Sequence, residues 1–154
     1  MKVRPAEDKD LESLLALSQA GFDYDYRFDT TLNMQWSSSA EAREYFSSCM
    51  KSKDSLALVA EDNGGVVAFL TASLITAESY RQNMRLAELQ IMFVSEHLRS
   101  RGVGRALVAE FQQWAKENGS KRIKVVVSAG NVRAAEFYRD NSFQDYTLVL
   151  ETEI

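Results

Sequence analysis

The 154-residue chain has one cysteine, one histidine and one proline. A lone cysteine excludes an internal disulfide, and with a single histidine it leaves no ligand set for a structural zinc site, so no metal is expected. No apolar run approaches the roughly 20 residues that a membrane helix needs. The opening Met1-Lys2-Val3-Arg4-Pro5 leads into charge rather than an apolar core, so it does not read as a secretory signal, and a cytoplasmic location is expected. There is no internal repeat, low-complexity tract or linker. A surplus of positive charge is also missing. The net charge is −4, which argues against nucleic acid or a membrane surface as a partner, since both need a concentrated positive field. What remains is 45% hydrophobic and 26% charged, an ordinary composition for one globular domain spanning residues 1–154.

Local charge departs from the global sign. Residues 99–105 hold three arginines and no acid, whereas residues 23–29 hold three aspartates and one arginine. The simplest reading puts an anionic ligand at the first segment and a cationic one at the second. The first lies within LAELQIMFVSEHLRSRGVGRAL, residues 86–107, which reads as a strand, a glycine-containing loop and the start of a helix. Unpaired N–H groups at a helix start, its dipole and nearby guanidinium groups make an anion site. Two common glycine loops fail here. A nucleotide P-loop needs Lys and Ser or Thr after its last glycine, but Arg105 and Ala106 follow Gly104. A dinucleotide loop needs a small residue where Leu107 stands and an acid at the end of the next strand, which reads Ile123-Lys124-Val125-Val126-Val127-Ser128.

Arg99-Ser100-Arg101-Gly102-Val103-Gly104 fits the pattern Gln/Arg-x-x-Gly-x-Gly/Ala and resembles the pyrophosphate loop of the GNAT superfamily, the acyl-CoA-dependent N-acetyltransferases. A second segment, from Asn131 through Ala134, Phe137 and Tyr138 to Phe143, is similar to that family's Asn-x-x-Ala-x-x-Phe-Tyr-x-x-x-Gly-Phe, with Ser142 in the place of Gly. The two motifs and their order cover roughly the last 70 residues; the first half agrees in pattern only. The resemblance implies acetyl-CoA as co-substrate, with its pyrophosphate on the amides around Arg101, Gly102, Val103, Gly104 and Arg105. Arg99 and Arg101 add charge toward a phosphate.

The rest of the chain reads as α+β, a mixed central sheet flanked by helices in the order β-α-α-β-β-β-α-β-α-β-β. A first strand ends at Pro5. A helix N-capped by Asp8 carries Leu11, Leu14, Leu15 and Ser18 inward and stops at Gly21. Residues 22–29 are then either a surface connection pinned by its aromatics or an acceptor-binding loop. Capping-box spacing at Ser38 and Glu41 opens a helix that buries Tyr45, Phe46, Cys49 and Met50. Asn63-Gly64-Gly65 marks a hairpin turn between two strands, and residues 86–94 form the next. A helix from Gly104 ends at Asn118-Gly119, a strand follows from Ile123, and a helix spans residues 131–141. Residues 143–154 are expected to form a last hairpin, whose edge is an option for a homodimer.

Acetyl transfer to an amine needs a base, because a primary amine with pKa near ~10 is about one part in a thousand neutral at pH 7, a cost of ~4 kcal/mol. Glu88 falls where family members carry a catalytic glutamate; the alternative is an exposed edge or a salt-bridge partner. Gln90, two residues on, can bind the acceptor or a water. Tyr138 matches the tyrosine that protonates the departing thiolate in this family, or else is a core aromatic. Asn131 either holds the pantetheine arm or caps a helix. Amides near Phe93 and Val94 are candidates for polarising the thioester carbonyl. Asp23, Tyr24 and Asp25 are the acceptor-binding candidates, which favours a cationic small molecule; a protein N-terminus or lysine is the alternative acceptor, and a non-catalytic acyl-CoA-binding domain the alternative class. His97 and Cys49 lie on a connector and an apolar helix face, with nothing to pair them as a nucleophile and base.

Overall fold

A computed structural model describes residues 1–154. Its frame is a five-stranded sheet in the order β1-β2-β3-β4-β5, formed by Lys2–Pro5, Ser55–Asp62, Gly65–Thr76, Arg85–Val94 and Arg122–Val125. The first four strands are antiparallel neighbours, and β5 joins β4 in parallel. That connection is made by a helix, as a parallel crossover requires. The β2–β3 hairpin turns on Asn63 and Gly64, both with positive φ, the two-residue turn whose twist matches the strands.

Four helices cover the two faces: α1 (Leu11–Asp25), α2 (Ala40–Lys51), α3 (Val103–Glu117) and α4 (Val132–Asp140). On one face Leu14 and Leu15 of α1 with Ala42, Phe46 and Cys49 of α2 pack on Ala57, Val59 and Phe69. On the other, Leu107, Val108, Phe111 and Ala115 of α3 and Tyr138 of α4 pack on Leu58, Leu70, Ala87 and Leu89. Alternate strand residues feed opposite cores, as the period-2 geometry of a strand dictates. No helix is long and apolar enough to cross a membrane.

Three expectations are corrected. Asp8 is not the cap of α1: it opens a single 3-10 turn, Asp8–Asp10, and the Asp10 carboxylate receives the Glu7 N–H at 2.8 Å before α1 begins. Gly21 does not end α1, which runs on to Asp25. The glycine lies inside the helix facing β4, where a Cβ would make an ordinary contact of 3.4 Å with the Phe93 ring. The capping serine of α2 is Ser39, one residue later than the box spacing suggested, and its hydroxyl receives the Ala42 N–H.

The last hairpin is also absent. Residues 144–154 form no strand, and Leu148, Val149 and Leu150 are 75%, 75% and 82% exposed. Successive strand residues face opposite sides, so exposure of all three means that neither side meets the body of the protein. The side chains favour a strand, but within this chain no partner edge receives them.

Candidate active site

The helix start at α3 is open. Gly102 stands at its N-cap with φ +82°, a conformation that suits glycine, and no side chain caps the helix. The first intrahelical acceptor is the Gly102 carbonyl, taken by Ala106, which leaves the N–H groups of Val103, Gly104 and Arg105 free of that ladder. Gly104 has a different role. A Cβ there would come within 3.1 Å of the Phe137 ring, so its smallness lets α3 and α4 meet. Arg101 and Arg105 are exposed beside the free amides, and Arg133 of α4 reaches the Ser100 hydroxyl at 3.4 Å.

A gap in the sheet leads away from this helix start. β4 and β5 pair only from Leu86↔Arg122 to Leu89↔Val125, after which residues 90–94 have no neighbour on that side. The expected strand through Ser128 is therefore cut at Val125. The divergence begins where β4 carries an extra residue: Thr71 faces Ile91 and Ala72 faces Leu89, so Gln90 is bulged. A bulge bends its strand and re-aims side chains. Above it, Ser95 donates to Val67, so by the alternation of an antiparallel ladder Phe93 bonds to β3 while the Met92 and Val94 amides face the gap.

Glu88 and Gln90 share the face covered by α1 and α2. The Tyr45 hydroxyl of α2 donates to Gln90 Oε1 at 2.9 Å and lies 2.8 Å from the Thr71 hydroxyl, and Ser73 donates to the same Gln90 oxygen at 3.1 Å. Burial pushes the Tyr45 phenol well above its ordinary value, with the neighbouring Glu88 charge a smaller contributor. Glu88 Oε1 lies 3.5 Å from the Lys124 ammonium of β5, its partner in the parallel register. Neither Tyr45 nor Lys124 stood out in the sequence. Tyr45 counted only as part of an apolar helix face, and Lys124 only as an interruption of an apolar strand; pairing register is what turns both toward Glu88.

Tyr138 approaches from the other face. It is 8% exposed, packed edge-on to Phe137 and Phe143, and burial pushes its phenol far up, helped by the charge of Asp25 across the gap. Asp25 is itself raised by burial, an effect that Arg99 and Arg27 oppose. Arg99 folds back over the gap: its Nε donates to the Val94 carbonyl at 3.0 Å, and its guanidinium stacks on Tyr24 at 4.3 Å and on Phe93 at 5.4 Å. The same end of α1 touches the far side, where Phe28 would meet a Cβ on Gly130 at 3.5 Å. Residues 24–28 thus bridge the gap. Asp23 is not part of this group; it points outward and accepts from Gln19 at 2.9 Å. Asn131 caps α4, its Oδ1 receiving the Ala134 N–H at 3.1 Å, which leaves only its amide nitrogen for another role.

Comparison with known proteins bears on the family and the fold. A model described as the acetyltransferase (GNAT) family matches residues 21–143. An uncharacterized N-acetyltransferase of Methanocaldococcus jannaschii is 29% identical over 151 residues, 96% of this chain; the chain spans 62% of that relative's length. A mutant of the BH1408 protein of Bacillus halodurans superposes with a TM-score of 0.86 at 19% identity, covering 100% of this chain and 99% of that one. An aminoglycoside N-acetyltransferase, AAC(6')-Iy in complex with CoA, does so with a TM-score of 0.76 at 18% identity, covering 99% and 98%. At such identities the structural matches speak for the fold alone, whereas the family model covers most of the chain: this protein belongs to the acetyltransferase (GNAT) family.

Proposed function

We propose that this protein transfers an acetyl group from acetyl-CoA to a primary amine by direct attack, the acceptor being a cationic small molecule. The observation that carries this reading is the gap between β4 and β5, which runs from the free amides of α3 toward Glu88. In it, the Val103, Gly104 and Arg105 amides hold the pyrophosphate, with Arg101 and Arg105 adding charge. Arg99, tied to Val94 and Tyr24, shapes the entrance rather than reaching for phosphate. Asn131 sets α4 and has one amide nitrogen left for the pantetheine arm. The Val94 amide polarises the thioester carbonyl, and Phe93 lines the wall beside it.

The co-substrate supplies an activated acetyl group; the chain supplies proton handling and orientation. Glu88 takes the proton that an ammonium must lose before its nitrogen can attack, and Gln90 orients the acceptor or a water between them. Tyr138, kept protonated by burial, gives its proton to the leaving thiolate. Asp25 and Tyr24 face the same space from α1 and hold a positively charged acceptor, with Asp23 adding to the field from outside. The structurally similar aminoglycoside N-acetyltransferase favours a small-molecule acceptor over a protein tail. The free, buried Cys49 fits a cytoplasmic setting, and residues 147–154 offer an apolar segment for a homodimer.

Thermal unfolding with acetyl-CoA, CoA, ATP and NAD, followed by thiol release against a panel of amines, tests the reading. A ligand at 100 times its Kd adds about 2.7 kcal/mol, a rise of several degrees in Tm for a domain of this size. Stabilisation by the CoA compounds alone with thiol release to a polyamine or aminoglycoside is the expected result. Stabilisation without release to any amine would make this a non-catalytic acyl-CoA-binding domain, and stabilisation by ATP or NAD instead would overturn the site.

A further inference from the structure

Lys124 is unusual among the lysines of this chain. The others that pair do so at the outer surface, Lys9 with Glu7 and Lys51 with Asp8. Lys124 pairs with Glu88, at the last but one position before β5 leaves β4. Its neighbours Ile123 and Val125 join the α3 core, so its own side chain stands on the opposite face, the one that carries Glu88, Gln90 and Tyr45. The side chain is 41% exposed, so its end is free to move. A primary amine on a four-carbon stem is therefore held at the carboxylate assigned to deprotonate an acceptor, at the end of the gap assigned to the thioester.

We infer that Lys124 is a site of self-acetylation: with acetyl-CoA bound and no free acceptor, its amine takes the acceptor's place. The inference rests on the acetyl-transfer reading above. The Lys124 ammonium gives a proton to Glu88, and the freed Nζ lone pair attacks the thioester carbonyl carbon. A C–N bond forms, the C–S bond breaks and the thiolate takes the proton of Tyr138; the second proton shed by the nitrogen restores the Tyr138 phenol through solvent and Glu88 releases its own to solvent, leaving Nε-acetyl-Lys124 and CoA with no oxidant or reductant needed. The product has lost its positive charge, so the ion pair ends and Glu88 faces incoming acceptors without a competing cation. Direct chemical acetylation has the opposite preference. Reagent in solution reaches the more exposed, unpaired lysines such as Lys116 and Lys121 first.

The test incubates the whole protein with acetyl-CoA and no amine, and follows acetylation of each lysine by peptide mass spectrometry. Lys124 is expected to gain its acetyl group at least tenfold faster than Lys116 and Lys121, at a rate that does not change over a tenfold range of protein concentration. Glu88→Gln should slow Lys124 at least tenfold and leave Lys116 and Lys121 unchanged. Excess CoA, which competes for the donor site in the unmutated protein, should do the same and does not depend on the variant folding. Lys124 no faster than Lys116 and Lys121, a rate proportional to protein concentration, or indifference to CoA would overturn the inference. Thiol release to free amines with Lys124 unmodified refutes self-acetylation and spares the enzyme reading; no stabilisation by acetyl-CoA and no release refutes both.

Discussion

Two tyrosines, Tyr138 buried and Tyr45 half-buried, separate by what holds their hydroxyls. Tyr45 is fixed by Thr71 and Gln90 and so spends its polar end on the sheet. Tyr138 is more deeply buried but has no protein partner for its hydroxyl, and the Asp25 charge reinforces its neutral state. A phenol held protonated is a proton donor that remains loaded across the physiological range. Tyr138→Phe keeps the ring and its contacts with Phe137 and Phe143, so steady-state kinetics should show kcat reduced about 100-fold or more while the thermal shift with CoA is retained. A variant with full turnover would return Tyr138 to a packing role. Ser142 marks a smaller tension at this scale: it replaces the family's glycine while keeping φ +70°, so the turn after α4 forms without the residue best suited to it.

Between elements, the close approach of α3 to α4 rests on Gly104. Gly104→Ala would press a methyl group on the Phe137 ring, displacing the helix that carries Tyr138. Overpacking of this kind costs about 1–3 kcal/mol. Denaturant melts should show that loss, and kcat should fall with it, because Tyr138 follows Phe137. A second joint ties β1 to the start of α1: Arg4 donates to Asp10 at 2.7 Å and to Glu61 at 2.9 Å, with Arg4 and Asp10 nearly closed to solvent. The Arg4 guanidinium holds the Asp10 carboxyl below its ordinary range. A depressed carboxylate pKa contributes stability that is present above the unfolded value near ~4 and lost as pH falls through the folded one. Arg4→Met, which strands Asp10, should cost about 3 kcal/mol at pH 7. Because Asp10 then protonates more readily, melts at pH 3 should show a much smaller difference between variant and parent.

At the scale of the whole molecule, the sheet is closed at neither end: β1 and β5 each have one free edge, and the apolar segment after Phe143 covers neither. Residues 147–154 bury almost nothing in the chain itself, so their removal should leave the Tm of the monomer within a degree or so. If they form the homodimer contact, sedimentation should show the parent at twice the mass of the truncated chain. Equal masses would leave the tail without an assembly role.

Much of this was legible in one dimension. The helix faces of α2 and α3, the Asn63-Gly64 turn and the open helix start at Gly102 follow from residue type and local spacing, because capping, turn dihedrals and amphipathic burial depend on neighbours a few positions away. Glu88 and Tyr138 were legible as candidates, Tyr138 within a short motif and Glu88 by its distance before Arg99. Their surroundings were not. That Gly21 lies inside α1 beside Phe93 rather than at a helix end, that Arg99 turns back onto Val94 and Tyr24, that Asp25 joins the gap while Asp23 leaves it, and that Lys124 meets Glu88 all depend on the register between strands and the placing of helices on them. Register is fixed by the bulge at Gln90 and by the sum of two cores, a property of residues tens of positions apart. The sequence by itself determined the family, the fold class and which side chains are candidates for the chemistry; only the tertiary structure decided which of them share the gap.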